Sequence, residues 1–185
     1  MANKIKFGLR NVHYSVITDT GTAYEYATPV SIPGAVSISL TANGEISEFF
    51  ADDIVYFGTE ANNGYDGDLE MAYLPDSFAQ DVLGQTLSTN GLLVENADTV
   101  PARFALTFEI QGDEEPKRYV LYNCLATRPN IASNTRGNTI EPLTATFTLQ
   151  ARAHAYTKNI QASISRSANE ATFEAWNTTI TEPTV

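Results

Sequence analysis

The 185-residue sequence carries a single cysteine, Cys124, so no disulfide can close within one copy, which suits a reducing compartment. Cys124 lies in the apolar run YVLYNCLA and reads as a small core residue. No stretch approaches the roughly 18 apolar residues of a membrane-spanning helix, and no apolar signal region follows Met1–Arg10, so the chain reads as soluble, with no membrane partner. The two histidines, His13 and His154, stand far apart without a Cys or His at ligand spacing, so neither resembles a zinc ligand. Nucleophile-elbow, P-loop and dinucleotide-binding glycine patterns are all missing. On these grounds the chain is expected to be no enzyme, with no catalytic residue, no metal and no cofactor.

The most informative absence is of positive charge. Between Arg10 and Arg103 there is no Lys or Arg, while residues 11–102 hold fourteen Asp or Glu. The first ten residues invert this with Lys4, Lys6 and Arg10 and no acid; the rest is balanced, and the net charge is −11. Ordinary nucleic-acid binding needs clustered cations, which this distribution withholds.

What is present is period-two alternation. AVSISLTA sets Val36, Ile38 and Leu40 against Ser37, Ser39 and Thr41. LTATFTLQA sets Leu143, Ala145, Phe147 and Leu149 against hydroxyl and amide residues, and RFALTFEIQ turns Phe104, Leu106, Phe108 and Ile110 inward. KRYVLYNCLA is apolar on both faces, which predicts the central strand of a hairpin closed by GDEEP. NVHYSVIT, AYEYATPV, EISEFF, DIVYFGT and DLEMAYL are further candidate strands, and Asn43–Gly44 marks a turn. One short helix is expected at about 76–84, where Pro75 precedes Asp76 and Ser77, Ser77 and Gln80 have capping-box spacing, and Gly84 is a stop. The prediction is one mainly β domain, a β-sandwich or barrel with one flanking helix: an N-terminal arm at 1–9, a β core at 10–153 and a polar C-terminal segment or arm at 154–185. The segment 127–142 exceeds the two to five residues, approximately, of a hairpin loop.

The acidic stretch ADDIVYFGTEANNGYDGDLEMAYLPD, residues 51–76, raises two chemical readings. Asp66, Asp68 and Glu70 alternate beside Gly64 and Gly67 as calcium ligands could, but position twelve from Asp66 is Ser77, where an EF-hand needs Glu. If 68–74 is a strand, Asp68 and Glu70 share its polar face and the pattern needs no metal. Paired carboxylates could also serve sugar hydrolysis, yet fourteen acids form too many pairs for sequence to single one out.

Two blocks carry a resemblance. NNGYDGDLEMAYLPDSFAQDVLG, through Gly64, Tyr65, Gly67, Leu69, Leu74, Pro75, Asp76, Phe78, Leu83 and Gly84, resembles the signature of the major tail proteins of long, non-contractile-tailed bacteriophages. RYVLYNCLATRPNIASNTRGNTIEP is similar to a second segment of that family through Arg118, Tyr119, Leu121, Tyr122, Asn123, Cys124, Arg128, Pro129, Glu141 and Pro142. The opening FGLRNVHYSVIT and SIPGAVSISL also resembles the family's beginning, so the likeness spans most of residues 7–153.

The resemblance implies a virion structural protein, a tail-tube subunit whose rings, typically hexameric, stack into a hollow tube assembled in the host bacterial cytoplasm. Its implied partners are further copies of itself, the tape-measure protein, and the tail terminator and distal tail proteins; DNA would pass without specific binding. An acidic lumen would repel a phosphate backbone at every point and let it slide. Candidate lumen or assembly acids are Asp52, Asp53, Glu60, Asp68 and Glu70; candidate contacts between subunits are Arg128 and Arg136 in the 127–142 loop. The alternative is a monomeric carbohydrate-binding β-sandwich of a phage or bacterial surface protein, using exposed tyrosines and Trp176.

Overall fold

The alternating segments resolve into strands along most of the chain in the computed structural model, which describes residues 3–135 and 142–183. Strands hold 48% of the chain and helices 7%, so the protein is mainly β. β1 (Lys6–Asp19), β2 (Tyr24–Tyr26), β3 (Val30–Ser31) and β4 (Ala35–Asn43) come first, followed by β5 (Ile46–Ala51) and β6 (Ile54–Glu60). β7 (Gly64–Met71) leads into α1 (Asp76–Asp81), and the short pair β8 (Thr86–Leu87) and β9 (Leu93–Val94) precedes β10 (Phe104–Gly112) and β11 (Lys117–Ala126). β12 (Ala145–Ala151), β13 (Gln161–Ser165) and α2 (Glu170–Ala175) complete the order.

Nine strands form one antiparallel sheet in the order β2-β1-β10-β11-β12-β7-β4, with β3 also pairing β1 and β13 also pairing β11. β11 is central, as its doubly apolar run predicts. On one face, Phe104, Leu106, Leu121, Phe147 and Leu149 close over Phe78 of α1. The Phe78 ring meets Tyr14 at 5.1 Å, Phe147 at 5.2 Å and Phe104 at 5.6 Å between centroids, joining three strands through one side chain. The helix matches expectation in place, but Pro75 occupies its N-cap without a side-chain cap bond, so the Ser77–Gln80 capping box does not form. Tyr14 Oη instead donates to Asp81 at 2.7 Å, fastening the helix to β1.

The opposite face of β10 and β11 is covered by the C-terminal segment, which corrects the expectation of an extended arm at 154–185. β13 adds to β11, Trp176 and Ile180 bury against Ala105, Val120 and Tyr122, and Phe173 is buried beneath Arg118. A second short helix, α2, was not anticipated; Asn169 caps it by accepting from the Thr172 N–H. Its apolar residues are few: Phe173 lies in α2, Trp176 caps its C-terminus, and Ile180 follows beyond the turn. The N-terminal arm is also shorter than expected. Lys6, Phe7 and Leu9 already pair with Gly112, Gln111 and Ile110, because β10 is long enough to template them. Val36, expected inward, is exposed, since a bulge between Ala35 and Ser37 rotates it out of the alternation. Leu143, also expected inward, is exposed; it lies before the start of β12.

Between the two layers sits one buried ionic node. Glu109 is 1% exposed and accepts from Arg10 Nε at 2.5 Å, Arg118 Nε at 2.8 Å and Asn11 Nδ2 at 3.1 Å. Arg118 lies 4.0 Å from the Phe173 ring centroid and donates to the Phe173 carbonyl, so the node ties α2 to the sheet. Burial pushes the Glu109 carboxyl up, but the hydrogen bonds from Arg118 and Arg10 outweigh it and hold it below the usual range. Its stabilisation is therefore complete above the unfolded value near 4.5 and is lost as pH falls through the lower folded value. Glu109→Gln, which leaves Arg118 without its charge partner, should cost about 3–5 kcal/mol. For a chain of this size that lowers the melting temperature by roughly 10 °C. Thermal unfolding as a function of pH checks this: the loss should be full at pH 7 and shrink progressively as pH falls below the unfolded value near 4.5.

Candidate functional site

The two acidic groups anticipated from sequence fall on separate surfaces. Asp52 and Asp53 form the tip of the β5-β6 hairpin, with φ of 54° and 61°. Two consecutive left-handed residues between Ala51 and Ile54 make the two-residue turn whose twist suits a hairpin, and Asp tolerates that conformation better than most residues. Glu60 lies at the hairpin base, opposite Ile46.

The hairpin itself is the unexpected element. Every residue from Ile46 to Glu60 except Ala51 is exposed, including Phe49 at 61%, Phe50 at 59%, Tyr56 at 71% and Phe57 at 61%. Phe49 pairs across from Phe57 and Phe50 from Val55, with a bulge between the two pairs. Neighbouring strand residues point to opposite faces, so Phe49 and Phe50 make both faces apolar. A solitary two-stranded hairpin is marginal in water, and one apolar on both faces presents the composition of a buried strand. Sequence reasoning marked EISEFF and DIVYFGT as candidate strands, but alternation alone does not show whether a strand pair joins the main sheet or stands apart from it.

Asp68 and Glu70 stand on β7 with Asp66, which sequence reasoning left out of the set. At alternate positions the three form a column on the polar face of the sheet. Hydroxyls flank it: Thr148 donates to Asp68 at 2.8 Å, while Thr144 at 2.6 Å and Ser37 at 2.8 Å donate to Glu70. The bonds from Thr144 and Ser37 hold the Glu70 carboxyl below its usual range. The Asn43 amide, then Arg152 at 2.6 Å, do the same for Asp66. The result is an acidic strip lined by Ser and Thr. Among the described residues, no three His, Cys, Asp or Glu converge as metal ligands.

The motif glycines have backbone causes. Gly64 has φ of +97° where the chain returns from the hairpin, and a Cβ there would meet the Ala151 carbonyl oxygen at 2.0 Å. At Gly67 a Cβ would meet the Ser39 carbonyl oxygen at 1.8 Å, so β4 approaches β7 too closely for any side chain.

The loop arginines divide. Arg128 pairs with Glu95 of its own chain, with both side chains partly open to solvent; Arg136 lies outside the described residues. Trp176, which the carbohydrate-binding alternative needed exposed, is 4% exposed and donates its indole N–H to the Tyr119 carbonyl at 3.2 Å. Its burial removes it from any sugar-stacking surface. Cys124 is fully buried, which pushes its thiol up to about 12, so it is not ionised near neutral pH. No protein-family model matches the chain, and no curated protein matches it in sequence.

Two outcomes follow for the isolated chain. Gly67→Ala should destabilise the fold by about 2 kcal/mol or more through backbone displacement, read as a lowered denaturation midpoint. Asp52→Asn with Asp53→Gly, the preferred residues for this turn, should leave the circular dichroism spectrum unchanged and the midpoint equal or higher while removing two charges.

Proposed function

We propose that the chain is a virion structural protein, a subunit of a bacteriophage tail tube that assembles with further copies of itself. The observation that carries this reading is the β5-β6 hairpin, whose two apolar faces stand in solvent. Burying Phe49, Phe50 and Phe57 is worth roughly 1.5–3 kcal/mol each, so an interface that covers the hairpin has a strong driving force. Isolated apolar side chains are common on surfaces, but a contiguous cluster of this kind marks an interaction site. The two sequence blocks that resemble major tail proteins agree with it in kind. Both describe a subunit that is incomplete alone.

The acidic column of β7 takes the lumen role in this reading. Asp66, Asp68 and Glu70, flanked by hydroxyls, give a polar wall that repels phosphate and has few cations to grip it. The tape-measure protein would occupy the lumen before DNA does, with terminator and distal tail proteins at the ends, rings of six being the family expectation.

Phe49→Ser with Phe57→Ser should leave a folded monomer and abolish rings or tubes in negative-stain electron microscopy of concentrated protein, where the unmodified chain forms them. A wild-type chain that stays monomeric at every concentration, and binds glycans, would return the carbohydrate-binding alternative. Asp68→Asn with Glu70→Gln in assembled phage should slow DNA ejection at low salt, measured as ejected length against time; an unchanged rate removes the lumen assignment and leaves the assembly reading intact.

A further inference from the structure

Resting on the self-assembly reading, we propose that the hairpin docks on a specific surface of a second copy: the groove between the N-terminal segment and the β10-β11 hairpin. That groove, about 320 Å³ in volume, is lined by Lys4, Ile5, Lys6, Ile110, Lys117 and Tyr119 among others. Ile5 is exposed, as is Phe7 beyond it, and Tyr119 stacks on Phe108 with ring centroids 5.2 Å apart. The groove thus combines an apolar floor with ammonium groups.

Charge selects the partner. The hairpin and its base carry Glu45, Glu48, Asp52, Asp53 and Glu60, and among the described residues none of these carboxylates makes a side-chain hydrogen bond or ion pair. No Lys or Arg lies anywhere in residues 11–102 to offset them locally. Lys4, Lys6 and Lys117 likewise pair with no carboxylate among the described residues. The acid nearest Lys4, Asp113, accepts instead from the Lys4 and Ile5 backbone N–H groups. An apolar arm edged by unpaired acids and an apolar groove edged by unpaired lysines are complementary, and opposite charge also fixes orientation on encounter.

Register adds a geometric argument. Val16, Phe104, Cys124, Ala151, Tyr65 and Ala42 are linked pair by pair across the sheet. From that row, β4 and β7 run through Asn43 and Gly64 into the hairpin; β1, β10 and β11 run in the same direction to Lys6, Gly112 and Lys117. Arm and groove therefore lie at the same end of the sheet, on different strands. Two different patches on one copy make a head-to-tail contact, which gives a closed ring when its rotation closes.

Charge reversal on each side, then mixing, tests the pairing. One variant carries Lys4→Glu, Lys6→Glu and Lys117→Glu; the other carries Glu45→Lys, Glu48→Lys and Glu60→Lys; all six positions are exposed. Sedimentation velocity and negative-stain microscopy are read for wild type, each variant alone and an equimolar mixture, with circular dichroism reporting the fold. The expected result is assembly of wild type, a shift of roughly tenfold or more to higher concentration for either variant alone, and recovery in the mixture, where each arm again meets a groove of opposite sign. Wild-type assembly that either variant reproduces unchanged overturns the pairing and leaves self-assembly standing. Variants that fail alone and fail together also overturn it. A wild type that never assembles overturns both the pairing and the function on which it rests.

Discussion

Everything in this fold turns on two strands buried on both faces. β10 and β11 carry apolar or neutralised residues on each side, and a doubly buried strand requires two covers. Phe78 and the rest of α1 supply one cover, and the C-terminal segment with Trp176 and Ile180 supplies the other. Glu109 sits at 1% exposure because two arginines and an amide meet it there. Desolvating that carboxylate is costly, and only complete pairing makes it tolerable. The node then couples the N-terminal strand, the central hairpin and α2, so the chain's two ends are held by the same charge.

The same rule of two covers explains the hairpin by its violation. β5 and β6 have the composition of a covered strand pair and no cover among the described residues. This second pair stays in solvent, which is the basis of the assembly proposal. Set against the acidic column of β7 and the lysine-edged groove, the surface divides into regions of distinct chemistry: an apolar acidic arm, a polar acidic wall and an apolar basic groove. That division is what a repeating assembly needs, since each copy must offer unlike patches to its neighbours.

Much of this was legible in the sequence. The mainly β class, the position of α1, the central place of β11 and the shared face of Asp68 and Glu70 all follow from local rules: the period-two alternation, a proline followed by short polar residues, and a doubly apolar run. The failures are equally physical. Val36 was placed inward because alternation assumes no bulge, and a single inserted residue reverses it. The C-terminal segment reads as an arm because its apolar residues are sparse, yet three of them suffice when a waiting sheet face receives them. Trp176 was given to a surface role because composition says nothing of direction. Asp66 was left out of the site set because the strand was expected to begin at residue 68, whereas β7 begins at Gly64.

By itself the sequence determined which segments would be strands, where the chain would turn and that one half would carry negative charge without relief, since each depends only on neighbouring residues. Which apolar runs find a cover, which carboxylates stand in one column and which end of the sheet carries both the arm and the groove were decided only in the tertiary structure. Those properties depend on register between strands far apart in the chain, and a one-residue slip in any ladder would move every side chain to the opposite face.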